Sequence, residues 1–312
     1  MTQFVHVLRR YGIAIVTVAL FAFLAATTDS FLSEANFRNV LDQQSALLIA
    51  ASFATITMIA GGFDLSVASV FVVAPLFALQ VENATGNAAL AALVGVAVGL
   101  GVGMANGLIV TRLKVNSFIA TLATSFMVFG AGFLISDRSV LRASTDSYPA
   151  IARTRFWNLT TATWIAFGVV AVAWVLLSRT RFGRHVYASG GNAEAARLAG
   201  IPVARVKTIA FGLAGAAAGL AGVVSSSRSL SALPSDDFSF VFGVIAAVVV
   251  GGTSISGGEG AVWRTVAGAF FIALMVNGFN LHQVDPIWQR VIQGGVILGA
   301  VAIDSWSQRR PQ

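Results

Sequence analysis

Cysteine is absent from this chain of 312 residues, and charged side chains are scarce. The absence of cysteine excludes disulfides, thiolate metal sites, iron–sulfur clusters and a cysteine nucleophile. Charged residues make up only 11% of the sequence, against roughly 25% in an average soluble domain. Hydrophobic residues make up 56%, more than the interior of a globule of this length can bury. The composition therefore predicts a membrane protein and excludes both a water-soluble enzyme and an intrinsically disordered chain.

Lysine is nearly absent as well, since Lys114 and Lys207 are the only two among the 20 basic residues. The formal charge is nevertheless +7. A surface that binds nucleic acid needs its basic residues clustered on one face of a folded domain. Here they lie in short segments between apolar runs, which is the pattern of loop charges that set membrane orientation. We therefore expect no nucleic-acid partner.

Apolar runs of the length needed for a membrane-spanning helix, about 20 residues, recur along the whole chain. We expect about ten spans, at 11–28, 45–60, 66–81, 87–110, 117–135, 162–178, 208–226, 239–252, 262–279 and 286–302. Three of them are short, and the pair 45–60 and 66–81 is alternatively interpreted as broken or re-entrant helices. The sequence predicts an all-α polytopic membrane protein with one transmembrane domain over residues 1–312.

The distribution of charge predicts the orientation of these helices. When ten helices alternate from a cytoplasmic N-terminus, 13 of the 20 basic residues but only four of the 13 acidic residues lie on the cytoplasmic side. This bias agrees with the positive-inside rule and predicts that both termini are cytoplasmic. Loop 136–161 is then external despite its four arginines. Its Tyr148, Pro149 and Trp157 suit an interfacial cap or a partner surface.

The cytoplasmic loop 179–207 contains the signals of a short helix. Asn192 is a good N-cap for a helix that runs to Ala199, and Gly200 and Pro202 then end it. The predicted helix is amphipathic, has glycines on either side and lies on the cytoplasmic face. Such an element suits the docking of a partner.

Glycines recur every four residues along two of the predicted spans: Gly95, Gly99, Gly103 and Gly107 in one, and Gly215 and Gly219 in the other. Small residues at this spacing let helix backbones approach closely in lipid. The stripes indicate either plain helix packing or helices that line a conduit, and the sequence favours packing.

Polar groups in or near the spans are few and mostly neutral, which suits a hydroxyl-rich, uncharged solute better than a proton or sodium relay. Asp64 is either a functional carboxylate at membrane depth or an N-cap of the third helix. Each asparagine is alternatively a contact between helices. The candidate pathway residues are Asp64, Ser66, Asn106, Asn116, Ser117, Thr121, Asn277 and Asn280.

Catalytic chemistry has no support in the sequence. Ser254 and His282, the only suggestion of a nucleophile with a base, lie on opposite sides of the membrane in the predicted topology. His6 and His185 lie in cytoplasmic segments, so we expect no metal site. The chain also has no phosphate-binding loop. Transport must then be driven either by an ion gradient or by a separate ATPase, and the scarcity of intramembrane acids favours the ATPase.

Several motifs in the right order resemble one family over nearly the whole chain: 62–67, 116–122, 182–184 with 190–201, and 245–249 with 251–254 and 257–258. By these motifs the chain resembles the permease subunit of a bacterial ATP-binding-cassette sugar importer of the ribose-type branch. It departs from the family pattern at Ala68, Gly243, Glu259 and Arg264. These departures leave the family assignment intact.

The resemblance implies a permease of the bacterial inner membrane that translocates a small neutral sugar. The implied partners are a cytoplasmic ATPase, which uses ATP and magnesium, a periplasmic sugar-binding protein, and a second permease copy or paralogue in a homo- or heterodimer. This chain itself would bind no cofactor. The implied coupling residues are Gly190, Gly191, Asn192, Glu194, Ala195, Ala196, Arg197 and Gly200.

Two alternatives stay open at this stage. An ion-gradient-driven secondary transporter of a small polar solute would make Asp64 essential. A permease for branched amino acids or another polar solute, in a related importer branch, differs from the main interpretation only in substrate.

Overall fold

Helices make up most of the structure, a computed structural model that describes residues 2–308. In chain order, α1 to α13 are Thr2–Thr27, Glu34–Ile59, Ser66–Thr85, Ala88–Arg112, Ser117–Ile135, Ser147–Arg153, Thr161–Arg179, Arg181–Gly191, Ala193–Leu198, Val203–Ser229, Ser239–Val250, Val262–Leu281 and Pro286–Gln308. Two antiparallel pairs of two-residue strands join β1 (Leu141–Arg142) to β4 (Ser231–Ala232) and β2 (Arg155–Phe156) to β3 (Leu159–Thr160). These strands are confined to connections between helices, so the fold is all-α as predicted.

Six of these helices, α3, α4, α5, α7, α10 and α12, are long and apolar enough to cross a membrane. Two further apolar segments, Gly12–Thr27 within α1 and the whole of α11, are shorter. The chain is therefore a multi-pass membrane protein.

Helix α2 differs from its predicted bounds. It begins at Glu34 rather than at residue 45, because the Ser33 hydroxyl accepts a hydrogen bond from the N–H of Asn36 and caps the earlier start. Its 26 residues form one continuous helix. The alternative of a broken helix at 45–60 is therefore wrong.

The two long connections lie at opposite ends of α2. Segment 136–161 contacts the first turns of this helix, where Asn158 donates to Glu34 and Thr160 donates to Asp42. Helix α8 contacts the other end, around Ile59. We call the first end the outer end and the second the inner end, after the orientation that the sequence predicts.

Helices α4 and α10 pack backbone against backbone along their glycine stripes. A Cβ atom at Gly99 would overlap the carbonyl oxygen of Gly215, and one at Gly103 would overlap that of Phe211. In the reverse direction, a Cβ at Gly215 would overlap the carbonyl oxygen of Gly99. This contact confirms the packing interpretation of both stripes, because an approach of this closeness excludes any side chain larger than hydrogen.

Segment 136–161 is folded rather than loose. Tyr148 on α6 is fully buried and its hydroxyl bonds that of Ser226 on α10 at 2.7 Å. The buried carboxylate of Glu82 on α3 accepts hydrogen bonds from the N–H and hydroxyl groups of both Ser144 and Thr145. By contrast, Trp157 is 79% exposed and stacks on Phe156. The segment is thus a structured cap with an aromatic tip.

Candidate functional site

The inner segment 179–207 forms two helices, of which the sequence predicted one. Asn192 caps α9 as expected, since its Oδ1 accepts from the N–H groups of Glu194 at 3.1 Å and Ala195 at 3.0 Å. Gly200 ends this element with φ at +79°. The prediction missed α8, whose N-cap Thr180 accepts from the N–H of Gly183 at 3.2 Å. Glycine disfavours a helix in isolation, but Gly183 and Gly190 are needed here because a Cβ at either would overlap a backbone oxygen.

Helix α9 presents most of its surface outward. Gly191, Asn192, Glu194, Ala195, Arg197 and Gly200 are exposed among the predicted coupling residues, whereas Ala196 is buried. Glu194 and Arg197 form an ion pair at 2.6 Å. Leu198, which the sequence prediction did not include, is 82% exposed at the end of the helix. Leu198 is thus available for contact with a partner that docks on α9.

A cluster of glycines, Gly61, Gly190, Gly257 and Gly258, joins α8 to the inner ends of other helices, and we call it the glycine junction. The N–H of Gly258 donates to the carbonyl oxygen of Ile59 at 2.8 Å. A Cβ atom at Gly190 would overlap that same oxygen, and one at Gly257 would lie 2.9 Å from the Cα of Gly61. The α2–α3 turn, α8 and the α11–α12 loop therefore meet in direct backbone contact.

A side-chain hydrogen bond reinforces the junction. The Tyr187 hydroxyl on α8 donates to the carbonyl oxygen of Gly260 at 2.7 Å. Burial raises the pKa of Tyr187, so the hydroxyl keeps the proton that this bond needs. Gly191, one residue beyond the junction, has open space where a Cβ would lie. Direct contacts thus hold α8 to α2 and to the loop that precedes α12.

Three of the eight predicted pathway residues form a polar network at the inner ends of α3, α4 and α5. Oδ1 of Asp64 accepts from the N–H of Ser66 at 2.9 Å and from its hydroxyl at 2.5 Å. Asn106 donates to that hydroxyl at 2.8 Å. Thr124, which was not predicted, donates to Oδ1 of Asn106 at 2.7 Å. The network thus links three helices to the turn that precedes α3.

Two more predicted residues hold the same turn from α5. The Ser117 hydroxyl accepts from the N–H of Phe63 at 3.1 Å, and the Thr121 hydroxyl accepts from the N–H of Leu65 at 3.0 Å. Five of the eight candidates are therefore brought together. Their hydroxyl and amide groups are largely used in fixing the backbone of residues 63–66.

The three remaining candidates lie apart from this network. Asn116 is exposed and caps α5 by accepting from the N–H of Phe118 at 2.9 Å. Asn277 exchanges two hydrogen bonds with Asn36, at 3.1 and 2.7 Å. Asn280 accepts from Gln289 at 3.2 Å. Asn277 and Asn280 thus make interhelical contacts, the alternative that the sequence analysis left open for each asparagine, whereas Asn116 is a helix cap, which was not predicted.

Asp64 combines features of both interpretations given to it. The N-cap position of α3 is Leu65 rather than Asp64, but Oδ1 of Asp64 accepts from the N–H of Ser66, the first residue of the helix, as a capping side chain does. Oδ2 is buried with no hydrogen-bond partner among the described residues. Asp64 also borders a cavity with room for about one water molecule, lined by apolar residues of α11. Burial is the main cause that raises the pKa of Asp64 to about 6, against which the two bonds from Ser66 act.

We expect Asp64→Asn to remove a pH dependence from the stability of the protein. An acid whose pKa is raised in the folded state favours folding at low pH, and this contribution is lost as the pH rises from about 4 to about 6. The effect is on the order of 1–3 kcal/mol. The midpoint of thermal unfolding in detergent should be lower at pH 7.5 than at pH 5 for the wild type. The difference between the two pH values should be smaller for Asp64→Asn.

Asp137→Asn is the matched control, because Asp137 is an exposed acid at the outer end. Its unfolding midpoint should change with pH as that of the wild type does. Equal pH dependence in the wild type and Asp64→Asn would contradict the burial of this carboxyl group.

Comparison with known proteins identifies the class to which these features belong. The sequence profile of a family described as the permease component of the branched-chain amino acid transport system matches residues 36–301. The chain belongs to this permease family. The L-arabinose transport system permease protein AraH of Escherichia coli K12 is 33% identical to it over 300 residues, which cover 96% of this chain and 92% of the relative.

Two further relatives of the permease cover nearly its whole length. The ribose import permease protein RbsC of Escherichia coli K12 is 34% identical over 298 residues, or 94% of this chain and 93% of the relative. The galactose/methyl galactoside import permease protein MglC of Salmonella typhimurium is 34% identical over 327 residues, or 99% and 97%. No solved structure matches. The predicted resemblance is thus confirmed, and these relatives are transport components rather than enzymes.

Proposed function

We propose that this permease forms the membrane pathway of an ATP-driven importer for a small neutral sugar. The observation that carries the proposal is its similarity, over nearly the whole chain, to permeases named for arabinose, ribose and galactose. The neutral character of the polar groups in its helices supports an uncharged solute. The energy would come from a separate ATPase that binds ATP and magnesium, with no cofactor held by this chain.

The proposed assembly lies in the bacterial inner membrane. About ten spans in a single domain over residues 1–312 would place both termini in the cytoplasm. A periplasmic sugar-binding protein would deliver the solute to the outer end, and a second permease copy or paralogue would complete the pathway as a homo- or heterodimer. The position of segments 136–161 and 179–207 at opposite ends of α2 supports this orientation.

The ATPase would dock on α9 and the residues around it. Gly190 and Ala196 face the protein, while Gly191, Asn192, Glu194, Ala195, Arg197 and Gly200 surround the protruding Leu198. Movement of the ATPase would displace α8, and the glycine junction would pass this displacement to α2 and α12. The inner end of the pathway, around Asp64, Ser66, Asn106, Ser117 and Thr121, would open and close in response.

Reconstitution tests the proposal directly. Proteoliposomes that contain the permease, its ATPase and its binding protein should accumulate ribose, arabinose or galactose only when ATP and magnesium are supplied on the side of the ATPase. Vesicles with the permease alone and an imposed proton or sodium gradient are the control. Uptake in that control would instead support the ion-driven carrier and would overturn the proposal.

Leu198→Asp should uncouple the permease from its ATPase. Buried apolar anchors at the centre of an interface typically contribute about 2 kcal/mol or more, so recovery of the ATPase with the purified permease should fall roughly tenfold or more. Sugar uptake should fall with it. Leu113→Asp is the matched control, because Leu113 is 71% exposed just after the inner end of α4 and outside α8 and α9. Equal recovery of the ATPase with both variants would contradict docking at α9.

A further inference from the structure

A groove of about 270 Å³ lies at the outer end between α3, α10 and the segment around β4. Its volume is close to the lower end of the range of small-molecule sites. Serine is its commonest lining residue, and the serines are Ser225, Ser226, Ser229, Ser231 and Ser235. No charged residue is found among the described residues that line it. A neutral, hydroxyl-rich groove of this kind suits an uncharged polar ligand better than an ion.

The serines of the groove divide into two groups. Ser226, Ser229 and Ser231 use their hydroxyls within the protein, on Tyr148 and on backbone carbonyl oxygens of α10 and β4. Ser225 and Ser235 are partly exposed, and their hydroxyls bond no group in the described part of the chain. The first group holds the wall in place, and the second leaves two hydroxyls free to donate and accept.

The opposite wall is apolar, and Phe71, Val72 and Pro75 of α3 line it. Pro75 has no N–H, so the carbonyl oxygen of Phe71 lacks its usual donor four residues later. This oxygen packs against Gly222 on α10 so closely that a Cβ there would overlap it. Phe71 also stacks on Phe240 with 3.6 Å between ring centroids. The wall therefore places an apolar surface opposite the serine hydroxyls.

We propose that this groove is the site at which the permease first binds the sugar at its outer end. A monosaccharide carries several hydroxyls that both donate and accept, together with apolar C–H surface, and the groove supplies groups that complement each. The inference rests on the proposed function and adds a location to it. It is independent of the polar network around Asp64, which lies at the inner end.

Single cysteines test the site, because the natural chain has none. In the complete importer, Ser225→Cys should react with a membrane-impermeant methanethiosulfonate added outside. The attached group should lower sugar uptake roughly tenfold or more, because it fills a groove of this size. The transported sugar should slow the reaction. Ser235→Cys, at a second position in the groove, should show the same reaction and the same loss of uptake. It tests the groove if Ser225→Cys does not fold.

Ser139→Cys is the control, because Ser139 is exposed at the outer end and does not line the groove. It should react with no loss of uptake. If the unmodified wild type takes up none of the three sugars, the proposed function fails. If the wild type transports sugar but modification of both groove cysteines leaves uptake unchanged, or neither cysteine reacts, the groove assignment alone is overturned.

Discussion

Gly99→Leu is expected to lower the unfolding midpoint of the permease by roughly 5–10 °C or more. The first side-chain atom would already overlap the carbonyl oxygen of Gly215 and would lie 3.0 Å from Val70. Because the obstacle is the backbone of α10, no rotamer change can relieve it, and the two helices must separate. In lipid this separation is costly, since close packing rather than exclusion of water holds such helices together.

Gly101→Leu provides the matched control on the same helix. A Cβ atom at Gly101 meets no atom within 4 Å, and both substitutions raise the helix propensity equally. Heating in detergent, followed by size-exclusion chromatography with fluorescence detection, measures both midpoints. A Gly99→Leu protein as stable as Gly101→Leu would show that α4 and α10 do not pack through their glycines.

Gly190→Ala is expected to abolish coupled uptake although it adds only one methyl group. The new Cβ would overlap the carbonyl oxygen of Ile59 and would lie 2.6 Å from the nitrogen of Gly258. The bond between these two groups, 2.8 Å long, would break and α8 would move away from α2. Since α8 connects the proposed docking surface to the helices of the pathway, uptake should fall roughly tenfold or more, in keeping with large steric effects at backbone contacts.

A glycine outside the junction and the docking surface provides the control. Gly101→Ala on α4 places its methyl group in open space, so uptake should stay near that of the wild type. Sugar uptake and ATP hydrolysis should be measured together, in a preparation where both variants are recovered from the membrane at similar levels. Hydrolysis without uptake in Gly190→Ala is the expected result, and normal uptake would refute the role of the glycine junction in coupling.

The sequence determined those features that depend on composition and on nearby residues. The scarcity of charge indicates a membrane protein without reference to any contact. The cap at Asn192 and the end at Gly200 need only neighbouring residues, and the structure confirms both. The start of α2 was misjudged although Ser33 is a local signal, because the polar residues of its first turns obscured the cap.

Tertiary structure decided which distant segments meet. Spacing identified the stripe around Gly99 as a packing surface, but only the fold shows that its partner is α10 rather than another helix with small residues. The same holds for the junction of Gly61, Gly190 and Gly258, and for the bonds between Asn36 and Asn277. The residues next to a glycine or an amide in the sequence do not identify its partner, because close approach and hydrogen bonding depend on two surfaces. The permease class is therefore evident in the sequence, while its coupling route and its outer groove exist only in the folded chain.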